Sequence, residues 1–472
     1  MIPQQARQEL KALLGPKGYL EKPEDLTLYE YDGAVDKAPP EMVVFPNTTE
    51  QVAAIQRIAD RWNIPVVGRG AGTGLSGGAI PLAGGLMIAF ARMNRILEIS
   101  VEDERAVVEP GVVNLDITAA VEGASYFYAP DPSSQKACTI VGNVADNSPG
   151  PHTLAYGVTA NHVMGLEVVL PDGKVIETGG SEADLPGYDI TGLMIGSEGL
   201  LGLVTRVVVR LMRKPEAVKT ALAIYDSPED CGRTVSEITA EGITPVALEM
   251  MDGVMLRMAE EATHAGYPLD AAAVLLIEVE GLRESIEEQM RQIVAICRRS
   301  NAREVREARS EADRALLWKG RKNAFGAIGR VSPFFLVQDG MVPRTKIPDT
   351  LKYIRQVSEK YGLTISNIFH AGDGNMHPII LFDMRKPGDL EKAMRAGFDI
   401  LEKCLEYGGS ITGEHGIGIE KLQMMSKQFS PDSLEVMDRI KQLFDPRSLL
   451  NPGKVLPSRA LPHKPAASAA AD

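Results

Sequence analysis

VVGRGAGTGLSGGAIPLAGG, residues 66–85, carries eight glycines. A run this rich in glycine makes a poor helix or central strand, because glycine loses more backbone freedom on ordering than any other residue. It suits a backbone that must approach a ligand closely and aim successive N–H groups at it, usually a phosphate or pyrophosphate. Gly72-Thr73-Gly74-Leu75-Ser76-Gly77 spells G-x-G-x-x-G, but the dinucleotide fingerprint must open a helix. Here Gly78, Pro81, Gly84 and Gly85 follow, so no helix starts. The helical pattern, TEQVAAIQRIADRWN, comes before the strand instead. An NAD dehydrogenase with a Rossmann site is therefore disfavoured.

Strand patterns flank the loop on both sides, IPVVGRG before it and GLMIAFARMNRILEIS, a strand and a turn, after it. Upstream, residues 1–36 read as a helix and an irregular lead-in. MVVFP (42–46) is a short buried strand, and Thr48 to Gln51 has the spacing of a capping box. Downstream, RAVVEPGVV (105–113) reads as a strand and LDITAAVEG as a helix. Residues 129–150, rich in Pro, Ser, Gly and Asn, read as a second irregular stretch. VMGLEVVLPDGKVIET (163–178) predicts a hairpin turning at Pro171-Asp172-Gly173, and 194–215 ends in a β-branched strand. Pro215 marks a boundary. Beyond it, strands such as TALAIYD and AVLLIEVEG alternate with long charged helices, the pattern of an antiparallel sheet covered by helices. The expected class is α+β. Residues 1–215 (core 38–215) form the loop-bearing domain, 216–456 a cap whose C-terminal part returns to the cofactor, and 457–472 a disordered tail.

The 472 residues exceed one hydrophobic core. The net charge of −13 argues against nucleic acid and against a basic membrane-binding face. The polar start and the lack of a spanning apolar run predict a cytoplasmic protein. The four cysteines, Cys138, Cys231, Cys297 and Cys404, are scattered. They form no iron–sulfur or zinc ribbon set of their own, so onward electron transfer needs another chain.

Two of the seven histidines share one stretch, His370-Ala-Gly-Asp-Gly-Asn-Met-His377, with Asp373-Gly374 as a turn between apolar runs. That turn is expected to place both histidines at strand ends. Residues 408–418 read GGSITGEHGIG, and Glu414-His415 between glycines makes a poor core. Two imidazoles and a carboxylate suit a divalent transition metal, zinc or manganese, with His370, His377 and Glu414 as ligands.

The strand–RGAGTGLSGG–strand arrangement resembles the FAD-binding domain of the vanillyl-alcohol oxidase / p-cresol methylhydroxylase superfamily. That resemblance implies non-covalent FAD, since no histidine stands in 66–85. It places the pyrophosphate on Arg69, Gly70, Ala71, Gly72, Thr73, Gly74, Leu75, Ser76, Gly77 and Gly78. Further cofactor contacts are implied at Pro130, Asp131, Ser134, Gly142, Asn143, Asn147, Gly150, Glu198, Gly202 and Asn451. The chain departs from the family at Val141, which adds bulk, and at Pro149, which lacks an amide donor.

HAGDGNMH, GEHGIG, the closing Asn451-Pro452-Gly453-Lys454 and the 317–325 segment LWKGRKNAF narrow the resemblance, over about residues 20–457. They are similar to FAD-linked 2-hydroxyacid dehydrogenases acting on glycolate, D-lactate and D-2-hydroxyglutarate, and most to the catalytic flavoprotein subunit of bacterial glycolate oxidase. The apolar Phe325 and Val337 stand where the hydroxyglutarate branch has polar positions, which favours a small 2-hydroxy monocarboxylate. Arg321 is the expected carboxylate clamp and His415 the expected base. The resemblance also implies an iron–sulfur partner, a companion flavin subunit and attachment to the inner membrane face through partners. A non-catalytic flavin-binding subunit is the alternative.

Overall fold

The computed structural model describes residues 1–181, 186–459 and 461. The chain divides into two compact units. The first holds Met1–Pro149, Val158–Lys214 and the segment beginning at Glu414; the second holds Gly150–Gly157 and Pro215–Gly413.

The first unit contains two main sheets. In one, Val66–Arg69 and Met42–Val44 flank Leu86–Ala89 in parallel, and Tyr19–Leu20 pairs antiparallel with Met42–Val44. Thr49–Trp62 forms the preceding helix. Thr48 caps it, its hydroxyl accepting from Gln51 N at 3.3 Å. The reciprocal arm is displaced by one residue, since Gln51 Oε1 accepts from Asn47 N at 2.7 Å. Among the described residues, no helix lies between Gly70 and Gly85. The other sheet is five-stranded and antiparallel, and it includes the hairpin Val163–Val169 / Val175–Gly179 with Gly173 at φ 78° in its turn. A large apolar cluster, from Ile2 to Leu456, fills most of this unit, and a smaller one joins Leu26, Val43, Met87 and Ala89.

Three expectations need correction. Residues 129–150 are not wholly irregular, because Ile140–Asp146 is helical. Ile140 and Val144, one turn apart, are both fully buried, and that shared apolar face overrides the local turn chemistry. The stretch after Ala89 yields a second strand, Ile96–Ser100. The tail stays structured to Arg459, where Pro457–Arg459 make a 3-10 turn and Arg459 pairs with Asp438 at 2.5 Å. Residues 460 and 462–472 lie outside the described residues.

The second unit is an eight-stranded antiparallel sheet with helices Pro228–Ala240, Arg283–Arg299, Ile347–Tyr361 and Asp389–Glu406 among its layers. Its central strands are Ala273–Gly281, Ala247–Asp252, Ile365–His370 and Asn375–Phe382.

Candidate active-site groups

In the first unit the glycine loop is held at some points and open at others. Arg69 Nη1 donates to Tyr31 O at 2.7 Å. Ser76 Oγ donates to His415 O at 2.7 Å, and Ser76 O accepts from Ile419 N at 2.8 Å. Gly418, at φ 50°, comes so close that a Cβ there would stand 2.1 Å from Ser76 O, so only glycine closes this contact. Gly78 O accepts from Asn451 Nδ2 at 3.1 Å and from Lys454 Nζ at 2.6 Å. By contrast, a Cβ on Gly74 or Gly78 would meet nothing nearer than 4.0 and 3.9 Å, and one on Gly142 nothing within 4 Å. That open room beside exposed peptide groups fits a pyrophosphate.

Three carboxyls border the loop, Asp32 and Glu198 buried and Asp146 half-buried. Glu198 accepts from Ile417 N at 2.7 Å and Gly418 N at 2.8 Å. Burial pushes its carboxyl above the usual range. Burial, then the neighbouring Glu198, push Asp146 well above it. Asp32 is raised by burial too, against amide bonds from Ala34 and Ala79. Carboxyls biased toward neutrality repel a phosphate less than full anions would. Lys454, also buried, falls to about 7.

Other expected cofactor positions have structural tasks. Asn143 bonds Asn114 and Cys138. Asn147 Oδ1 accepts from Ala160 N at 2.8 Å. A Cβ on Gly202 would strike Val168 Cγ1 at 2.4 Å. Asn451 Nδ2 also donates to Glu198 O, at 2.7 Å. Gly150 falls in the second unit.

In the second unit, His370 closes the strand Ile365–His370, at its end as expected, whereas His377 is the third residue of the paired strand Asn375–Phe382, which begins before the apolar run 378–382. The register matches His370 with Asn375 and His377 with Ile368, so the two histidines share a face with period-2 spacing. Their rings stand perpendicular, with centroids 5.2 Å apart. Gly374 turns the hairpin at φ 81°, where a Cβ would lie 2.1 Å from Val342 O. His370 Nδ1 is 2.9 and 3.0 Å from the two Glu249 oxygens. His377 Nδ1 is 3.3 Å from Gln338 O and 3.8 Å from Asp339 Oδ1.

Arg321, on helix Glu311–Ala327, is no surface residue. It is 4% exposed, and Nη2 meets Glu249 Oε2 at 2.5 Å. Asp339 is fully buried and accepts from Gly413 N at 3.1 Å, one residue before Glu414. Glu414 itself belongs to the first unit, where its Oε1 lies 3.7 Å from His415 Nε2. Phe325 packs edge-on to Phe335 at 5.3 Å, and Val337 is buried in the same apolar cluster. Sequence reasoning missed Glu249, Asp339 and Lys454 as site residues. A lone Glu inside the apolar run ALEMM was the available signal for Glu249.

The second unit buries one more carboxylate, Glu278. It accepts from Trp318 Nε1 at 2.7 Å and Arg314 Nε at 2.8 Å, with His152 Nε2 at 3.5 Å. Burial alone would raise it, but His152 and Arg314 overcome that and hold it at about 2, below the ordinary 4.5. A depressed folded value stabilises above the unfolded value and is lost as pH falls through the folded one. Wild type is therefore expected to lose about 3 kcal/mol through this group between pH 4.5 and 2. Acid unfolding of Glu278→Gln should lack that limb, and an unchanged acid profile would refute it.

Residues 40–179 match the family FAD binding domain, and residues 214–455 match FAD linked oxidases, C-terminal domain. The chain is 47% identical over 436 residues to the glycolate oxidase subunit GlcD of Escherichia coli K12, covering 92% of this chain and 87% of that protein. It is 41% identical over 457 residues to GlcD of Bacillus subtilis, covering 96% and 97%. It is 32% identical over 428 residues to the D-lactate dehydrogenase of Anaerostipes hadrus, covering 89% and 90%. Among solved structures, p-cresol methylhydroxylase with substrate bound shares the fold at a TM-score of 0.83 and 18% identity, covering 98% of this chain and 99% of that one. The chain belongs to the FAD-linked oxidases, an α+β flavoprotein family that includes the GlcD subunits and D-lactate dehydrogenases to which it is similar.

Proposed function

We propose that this chain oxidises a small 2-hydroxy monocarboxylate, glycolate or D-lactate, to the 2-oxo acid. The observation that carries the reading lies in the first unit. The segment bearing Glu414 and His415 docks on the glycine loop, with His415 O accepting from Ser76 Oγ at 2.7 Å and Gly418 against Ser76 O. The FAD-binding backbone and a carboxylate–histidine pair are thus fastened together.

Arg69 to Gly78 would hold FAD non-covalently, and the bound flavin would supply the acceptor for the hydride from C2. A divalent metal, zinc or manganese, would be held by His370, His377 and Glu414, whose imidazoles and carboxylate are donors such a metal takes, and would supply Lewis acidity to the substrate hydroxyl. His415 takes the hydroxyl proton, as an imidazole is suited to do near neutral pH. Arg321 keeps N–H donors of its fork beyond the one that Glu249 occupies, and these receive the substrate carboxylate. The apolar Phe325 and Val337 offer no partner to a second carboxylate, which separates this reading from a D-2-hydroxyglutarate dehydrogenase.

All four cysteines are buried as free thiols. On this reading electrons leave to an iron–sulfur partner, alongside a companion flavin subunit; the GlcD relatives are named as subunits of an oxidase, which supports a partner of some kind. No described helix is long and apolar enough to cross a membrane, and we place any membrane association on those partners, with this chain cytoplasmic. The test is anaerobic bleaching of the flavin spectrum with glycolate, D-lactate and D-2-hydroxyglutarate. Bleaching by one of the first two but not the third is expected. Bleaching by none would favour a non-catalytic flavin-binding subunit.

A further inference from the structure

We infer that Glu249 is a positioning residue. It fixes His370 as the Nδ1–H tautomer and anchors Arg321, so that one buried carboxylate orients two groups of the site. The inference rests on the reading of His370 as a metal ligand only where it concerns metal affinity.

Glu249 sits on a central strand, Ala247–Asp252, among Leu248, Met250 and Met251, and is 1% exposed. An ionised carboxylate in such a place is costly unless paired and hydrogen-bonded. Its partners are specific. Arg321 Nη2 stands 2.5 Å away, a donor that can only give hydrogen bonds to the Glu249 oxygens. In the antiparallel register Glu249 is the direct partner of His370, and the ring nitrogen Nδ1 sits between both its oxygens, at 2.9 and 3.0 Å. An ionised carboxylate only accepts, so Nδ1 must carry the hydrogen. Nε2, on the other side of the ring, is then the lone-pair atom of the neutral imidazole.

His377 provides an internal comparison. Its Nδ1 lies 3.3 Å from the carbonyl of Gln338, which also only accepts, so it takes the same tautomer from a neutral and longer partner. The two imidazoles therefore present the same ring nitrogen, but His370 has a carboxylate at hydrogen-bond distance behind it, whereas the Asp339 carboxylate behind His377 stands at 3.8 Å. A carboxylate in that position raises the basicity of a ligating histidine and locks its ring. The bland alternative is that Glu249–Arg321 is only a buried ion pair. Such a pair can often be exchanged for apolar residues of similar volume without loss of stability. The exchange therefore separates the two accounts.

The experiment uses full-length, FAD-loaded protein labelled with 15N-histidine and stripped of metal. His370 is assigned by the signal missing in His370→Asn. Wild type should show a protonated Nδ1 and an unprotonated Nε2 at His370. Glu249→Met/Arg321→Met, which keeps the volume and removes both charges, should shift that histidine toward the Nε2–H form. In zinc titrations by competition, Glu249→Gln and the double variant should bind about 10–100-fold more weakly than wild type, with FAD content unchanged. If Glu249→Gln fails to fold, the double variant decides. An Nε2–H signal in wild type overturns the inference, as does a double variant that keeps the Nδ1–H form. Wild-type zinc affinity in both Glu249 variants overturns its extension to the metal. No zinc uptake by wild type, with the Nδ1–H signal present, would reject the metal reading and leave the tautomer assignment standing.

Discussion

His377→Ala is expected to keep its flavin and lose substrate-driven flavin reduction by about 10³-fold. His377 belongs to the second unit, and its strand contributes no residue to the glycine loop, so FAD retention should not change. The imidazole is 6% exposed, set on the same hairpin face as His370 and backed by Gln338 O. On the reading proposed above, removing it takes away one of two nitrogen donors, and the Lewis acid that would polarise the hydroxyl goes with it. About 4 kcal/mol of barrier corresponds to the loss quoted. Anaerobic stopped-flow absorbance measures it directly. A variant that reduces its flavin at nearly the wild-type rate would show that the histidine pair serves the hairpin and not the chemistry.

Lys441→Met is expected to cost about 3–5 kcal/mol of stability, read as a shift of the urea midpoint, with early flavin release. Lys441 is 2% exposed, and its Nζ donates to Leu200 O at 2.6 Å, Leu450 O at 2.9 Å and Asp445 Oδ2 at 2.6 Å. Burial lowers its pKa, and the contact with Asp445 opposes that. Asp445, itself 1% exposed in its side chain, also accepts from the amides of Leu449 and Leu450. Methionine fills the volume but strands two carbonyls and a buried anion. An unchanged midpoint would mean that water reaches this group once the ammonium is gone.

Local physics made much of this architecture legible in the sequence. The glycine run could not be helical, Thr48 had its cap spacing, and Pro171 to Gly173 had its turn chemistry. Each was decided within a few residues. The misses lay where a distant partner decided. Ile140–Asp146 reads as turn residues until Ile140 and Val144 meet the core of the first unit. His377 reads as the end of a strand, and pairing with Ile365–His370 carries that strand back to Asn375, past it. Arg321 is the expected clamp on an otherwise charged helix, and burial beside Glu249, 72 positions earlier, shows that it is not a surface charge. Glu249 carries no motif, because its task is defined by cross-strand register rather than by spacing.

Among the described residues, the last strand-like pairing to be made extends the first sheet, where Leu450 bridges Val66. Val66 N donates to Leu449 O and Asn451 N donates to Val66 O, both at 2.8 Å, while Asn451 reaches Gly78 across 373 positions of chain. At about 5–20 residues per second, the ribosome needs roughly 20–75 s to cover that interval. Throughout it the sheet edge at Val66 is unpaired and Gly78 O lacks both Asn451 and Lys454. The nascent flavin-binding half therefore waits with an open edge, and a fragment stopped near residue 215 would keep that edge for good. Such a fragment is a substrate for chaperones and an aggregation hazard rather than a smaller flavoprotein.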